Sequence, residues 1–126
     1  VHSLEEIKDL ASKFPNHIRQ VNVYQDNIIV AGTTVFLTDQ VVHPQYVSAK
    51  ANKNELGSLD LLYDFIIQEF KENRNYFSFN TSSVENGELL NEGLLFWKES
   101  CGARPHVFNN YEIETGSYKT LEFKTI

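Results

Sequence analysis

The chain has 126 residues, 41% of them hydrophobic, and a formal net charge of -6 at pH 7, which is enough for one core and too little for two ordinary domains, so one domain over 1–126 is expected. The acidic balance and the lack of a Lys/Arg cluster argue against DNA or another nucleic-acid backbone as the main partner, because phosphate neutralisation needs a concentrated basic face. No apolar run approaches the roughly 20 residues that span a bilayer, and the N-terminus lacks a basic region followed by an apolar one, so membrane insertion is not expected.

In chain order, Leu4, Ile7, Leu10, Ala11 and Phe14 recur at helical spacing, Ser3 and Glu6 stand in capping-box relation before them, and Pro15 ends the run. Three β-rich stretches, 18–24, 28–37 and 41–47, follow, separated by the turn-prone Gln25-Asp26-Asn27 and Thr38-Asp39-Gln40, and they predict an antiparallel meander. A polar loop then leads to Gly57-Ser58, with Ser58 as the expected N-cap of a helix carrying Leu59, Leu62, Phe65, Ile66 and Phe70. After Asn73-Arg74-Asn75 comes a short aromatic strand, 76–80, which a right-handed crossover would set parallel to the strand over 41–47. Ser82 and Glu85 again show capping-box spacing, predicting a third helix with Leu89, Leu90, Leu94 and Trp97 on its apolar face and Gly102 as its stop. The remainder reads as two strands, 106–114 and 118–126, joined at Thr115-Gly116-Ser117. Leu62, Phe65, Ile66, Phe77, Phe79, Leu90, Leu94 and Trp97 are expected to form much of the core. Cys101 stands alone, which excludes an intrachain disulfide and points to a reducing, cytoplasmic setting. The start at Val1 and the absence of methionine suggest a piece of a longer protein.

This order predicts an α+β (mixed α/β) fold: a sheet antiparallel at its start, a parallel pair after a crossover helix, and helices on its faces. Within it, Asn91, Leu94, Phe96-Trp97 and Gly102, and the segment HPQYVSAKANKNELGSLDLLYDFII, resemble the GNAT acyltransferase fold, and more closely the C-terminal GNAT-like half of FemAB-like proteins, which look like two such domains in tandem. The resemblance implies transfer of an acyl or aminoacyl group from an activated carrier to an amine on a sugar or cell-envelope precursor. Its small-molecule donor would be acyl-CoA, with aminoacyl-tRNA as the alternative, and a second GNAT-like half would be a partner in the parent chain. It also implies that Lys53, Asn54, Gly57, Ser58 and Asn91 hold the donor, since free N–H groups at a helix start attract anions. Two departures stand out. The loop Ala51-Asn52-Lys53-Asn54-Glu55-Leu56-Gly57-Ser58 carries one glycine and an added carboxylate where the family has Gln/Arg-x-x-Gly-x-Gly/Ala, and Lys98 occupies the position of the family's acidic tyrosine. A non-catalytic GNAT-like binding or structural domain is the alternative reading.

Among single residues, His43 is the candidate general base, because its unperturbed pKa is near neutrality and Pro44 beside it interrupts a strand ladder. Gln45, Tyr46 and Ser48 would add hydrogen bonds to the substrate. The competing reading makes His43 a structural residue at a strand irregularity and 51–58 an ordinary solvated loop. Glu85, Glu88 and Glu92 read as a solvated face. His2, His17 and His106 lack metal-ligand spacing, and no metal site is inferred.

Overall fold

The computed structural model describes residues 2–122. Helix α1, Leu4–Lys13, begins with the expected capping box: the Glu6 amide donates to Ser3 Oγ at 3.3 Å, and the Ser3 amide to Glu6 Oε2 at 2.6 Å. The helix lies against the first strand but buries none of its residues fully, so its stripe is a shallow contact. Among the described residues no helix is long and apolar enough to cross a membrane.

Strands β1 (Ile18–Gln25), β2 (Ile28–Leu37) and β3 (Val41–Ala49) form the antiparallel meander that alternation predicts. Asp26 and Asn27 turn the first hairpin with φ of 49° and 63°, the left-handed pair that a two-residue type I′ loop requires. On β3 the register slips between Thr34 and Val35, which pair with Tyr46 and Pro44, leaving Gln45 as the extra residue of a bulge. Strand β4, Tyr76–Phe77, joins β3 in parallel through Val41 with Tyr76 and Val42 with Phe77, giving the sheet order β1-β2-β3-β4. The expected strand over 76–80 is thus cut to two residues, because after Ser78 donates to the Val42 carbonyl at 2.9 Å the partner strand reaches Pro44 and its bulge.

Between β3 and β4 the chain makes a single α-helical turn, α2 (Lys53–Leu56), then α3 (Ser58–Phe70). Gly57, at φ 64°, closes α2 and serves as the N-cap of α3, so Ser58 is the first helical residue rather than the cap. Leu62, Ile66 and Phe70 of α3 pack on Ala31, Val35, Leu37 and Val42 to make the core, with Val21, Val23, Ala49, Leu59 and Phe77 around it. Phe65 is a correction: it is 53% exposed, because the buried stripe runs through positions 59, 62, 63, 66 and 70 and Tyr63 takes the place given to Phe65.

Beyond β4 the structure departs from expectation more widely. The predicted helix start at Ser82 is instead a small hairpin, β5 (Ser83–Val84) and β6 (Leu89–Leu90), with Glu85, Asn86 and Gly87 at φ of 50°, 57° and 99°. Asn86-Gly87 is a strong turn signal, and it outweighs the capping-box spacing. Leu89 and Leu90 are therefore exposed. Helix α4, Glu92–Ser100, starts later, at the Asn91 cap, and ends before Gly102 at φ 90°. Leu94 is also exposed, whereas Phe77, Phe79 and Trp97 are half-buried in an aromatic cluster around Tyr63. The predicted strand over 106–114 is unpaired, Gly116–Thr120 is a 3-10 turn where the second strand was expected to begin, and 123–126 lie outside the described residues. A strand needs a backbone partner, and in this chain the segment has none among the described residues.

Candidate functional site

The sheet has two unlike faces. One is covered by α3; the other carries three cross-strand rows set by the register: Asn22, Gly32 and Ser48; Gln20, Thr34 and Tyr46; Ile18, Phe36 and His43. The structure thus brings His43, Tyr46 and Ser48 onto one face, in one file along β3. Gln45 sits at the bulge, and its Oε1 lies 2.8 Å from His43 Nε2. With the amide oxygen accepting, the imidazole proton is held on Nε2 and Nδ1 is the ring's basic nitrogen.

Beside this file lies an open depression of about 390 Å³ lined by Gln20, Asn22, Gly32, Thr34, Tyr46 and Ser48 among others. Its polar groups are ordered: Thr34 Oγ1 donates to Gln20 Oε1 at 2.8 Å, and Gln20 Nε2 to Asn22 Oδ1 at 2.8 Å. Gly32 forms its floor for a steric reason, since a Cβ there would stand 2.5 Å from Asn22 Oδ1. The His2 ring hydrogen-bonds the Tyr46 hydroxyl and packs edge-on against it. None of Gln20, Asn22 and Thr34 was singled out from sequence, although the register that aligns them follows from the alternation already read there.

The second group of candidates lies where α3 begins. Gly57 donates its N–H back to the Lys53 carbonyl at 2.9 Å, and Leu61 donates to the Gly57 carbonyl at 3.0 Å, which leaves the amides of Ser58, Leu59 and Asp60 as the open donors of the helix start. Ser58 is buried, and its Oγ has no hydrogen-bond partner. Open amides at a helix start suit an anionic group, with Lys53 adding a charge one turn earlier and Asp60 opposing it, while the Ser58 hydroxyl is enclosed and does not face solvent. Asn54 is exposed on α2. Asn91 stands apart from this group: its Oδ1 accepts from the Leu94 amide at 2.9 Å, which is helix capping.

Two residues with no assigned role complete the region. Where β3 and β4 part, Asn80 Nδ2 donates to the Pro44 carbonyl at 2.7 Å, a side-chain rung replacing the backbone ladder. Lys98 is only 6% exposed, and its Nζ donates to the carbonyls of Thr81 at 2.7 Å and Asn80 at 3.2 Å. Burial pushes its pKa down. Trp97 Nε1 donates to Asp60 Oδ1 at 3.1 Å, so α4 touches both the first turn of α3 and the end of β4. The parting strands, the start of α3 and α4 therefore meet at the carboxyl ends of the parallel pair, the usual place for a ligand crevice in such sheets.

No family model matches the chain, and no curated protein matches it. Among solved structures it is similar to an aminoglycoside acetyltransferase from an uncultured soil metagenomic sample, determined in complex with trehalose, with a TM-score of 0.63 and 16% identity over 91% of this chain and 76% of that one. The likeness is one of fold: the chain has a GNAT-like α+β architecture, with an antiparallel meander, a crossover helix and a parallel pair.

Proposed function

We propose that the chain is an acyltransferase domain that moves an acyl or aminoacyl group from an activated carrier, held at the start of α3, to an amine of a sugar or cell-envelope precursor lying on the outer face of the sheet. The observation that carries this reading is the set of open Ser58, Leu59 and Asp60 amides at the start of α3, next to the point where β3 and β4 part. Acyl-CoA is the first donor to consider, with aminoacyl-tRNA as the alternative, and the acyl carbonyl is the electrophile that either supplies. On this reading the helix amides and Lys53 hold the donor's negative charge, and Gln20, Asn22, Tyr46 and Ser48 orient the acceptor by its hydroxyl and amine groups. His43 Nδ1 takes the proton from the attacking amine as the amine nitrogen bonds to the acyl carbon, and the bond to the carrier breaks with its electron pair leaving on the carrier's sulfur or oxygen, which then takes up the proton. A FemAB-like tandem, with this chain as the C-terminal half, and a cytoplasmic site of action belong to the same proposal.

One observation favours the second reading, a non-catalytic domain supporting an active half. Asn80 bridges the gap between the strands, and Lys98 fills its far end. The two readings separate in one assay, in which acetyl-CoA and a panel of amino sugars are incubated with the chain, and free thiol and N-acetyl product are followed together. Catalysis gives thiol and product in equal amounts, and His43→Ala reduces both. Thiol release at the uncatalysed rate with every amine, together with no amide product when an aminoacyl ester replaces acetyl-CoA, overturns the catalytic reading.

A further inference from the structure

The open face of the sheet is close to neutral where it carries its polar rows. Of the polar side chains lining the depression of about 390 Å³, Gln20, Asn22, Thr34, Tyr46 and Ser48 are uncharged, and Lys50 is the one ionised group. No carboxylate lines it among the described residues, although the chain as a whole carries a formal net charge of -6. On the side where His2 meets Tyr46, Glu6 is near enough to His2 to interact with its charge, but its carboxylate is held by the Ser3 amide at 2.6 Å and does not line the depression.

The hydrogen bonds across these rows run in one direction. Thr34 Oγ1 donates to Gln20 Oε1 and Gln20 Nε2 donates to Asn22 Oδ1, both at 2.8 Å. Each amide oxygen is thus engaged by a neighbour, and what remains for a ligand is the Asn22 amino group and the second N–H of Gln20. Such donors suit oxygen. Hydroxyl, ether and carbonyl oxygens accept from them, whereas an ammonium brings only donors of its own. A cation brought here gives up water without gaining a counter-charge, and Lys50 repels it.

We propose that this face selects, as acceptor, an amino sugar with a single amine and otherwise uncharged oxygen groups, and rejects polyamino acceptors. The inference rests on the sheet face being the acceptor side of the site proposed above. The single amine goes to the row of His43, beside that of Tyr46 along β3, where it gives up its proton on reaction. Any further ammonium on the same molecule then falls on the neutral rows of Gln20 and Asn22 or on Lys50, where the charges are mismatched.

The test has two arms, one of them independent of transfer. In the first, backbone amide resonances of the 126-residue chain are followed with no donor present while glucosamine or, separately, the polyamino sugar kanamycin is added. Glucosamine is expected to shift the amides of Asn22, Gly32, Thr34 and Ser48. Kanamycin should need about tenfold more, the discrimination that one like charge a sugar's width away supplies at a dielectric between those of surface and solvent. In the second arm, kcat/KM for the two sugars is compared with acetyl-CoA as donor, and the same order is expected. Asn22→Asp keeps the oxygen that accepts from Gln20 and adds a carboxylate to its row, while Lys50→Glu reverses the cation. Each should narrow the ratio between the sugars about tenfold in both arms. Both side chains lie outside the core cluster, and unchanged circular dichroism confirms that the variants fold. A wild type that binds kanamycin as tightly as glucosamine overturns the proposal, and so does a ratio that neither variant changes. Amides of these rows unmoved by either sugar overturn it too. Shifts in the expected order without turnover of either sugar support the selectivity and count against the transfer reading instead.

Discussion

Tyr63 is the residue on which the attachment of α4 to the rest of the fold depends most. It is buried in α3, with its ring centroid 5.5 Å from that of Phe77, 5.4 Å from Phe79 and 5.3 Å from Trp97, so one side chain touches β4, the segment after it and α4. Besides this cluster, α4 is held by the Trp97 bond to Asp60 and the Lys98 bonds to Asn80 and Thr81. Replacing Tyr63 with Leu keeps an apolar side chain of similar bulk and removes three aromatic pairs, each contributing roughly 0.5–1.5 kcal/mol beyond its buried area. Taking the middle of that range for all three gives a loss of about 3 kcal/mol, an upper value because neighbouring contacts are not additive. Urea denaturation reads the global loss, and hydrogen exchange reads its location, with the α4 amides expected to exchange up to about 100-fold faster at 1.4 kcal/mol per factor of ten. Tyr63→Phe keeps the ring contacts and is expected to cost under about 1 kcal/mol. A Tyr63→Leu variant within ~0.5 kcal/mol of wild type, with unchanged exchange in α4, would refute the reasoning.

Leu62→Ala should cost about 2–5 kcal/mol in chemical denaturation while Phe65→Ala costs under about 1 kcal/mol, and the opposite order would show that the buried face of α3 is misassigned. Gly32→Val forces Asn22 aside and breaks its bond from Gln20, so in the transfer assay it should raise the KM for the acceptor while leaving donor affinity unchanged; an unchanged acceptor KM removes the sheet face from the site. Burial lowers the Lys98 pKa below its ordinary 10.5, so the unfolded chain binds the proton more tightly and stability rises as pH climbs from the lowered value toward 10.5. Lys98→Met should remove that rise in urea titrations on the alkaline side as pH approaches 10.5, and equal slopes in the two proteins would show that this amine is not desolvated.

The first two-thirds of the fold was legible because it rests on local rules. Alternation marked β1 to β3, the Ser3–Glu6 spacing marked α1, and a helix had to follow Gly57. What was missed depends on competition between signals or on partners distant in sequence. The Asn86-Gly87 turn prevailed over a capping box, and the shortening of β4 followed from a bulge on β3 that only the register reveals. Of the candidate site, His43, Tyr46 and Ser48 share a face as their spacing around the bulge allows. The Gln45 contact to His43 and the Asn80 and Lys98 bonds across the strand gap arise from tertiary approach and leave no mark in the local pattern.

The claim that the start of α3 is a donor site is tested most directly by following backbone amide resonances while acetyl-CoA, and separately a nonhydrolysable aminoacyl-ester analogue, are added to the 126-residue chain. A donor held there shifts the amides of Ser58, Leu59 and Asp60 first and most, and Lys53→Glu weakens the response by repelling the donor's phosphate or carboxylate. Saturating ligand that leaves those three amides unmoved, with either donor, would contradict the assignment.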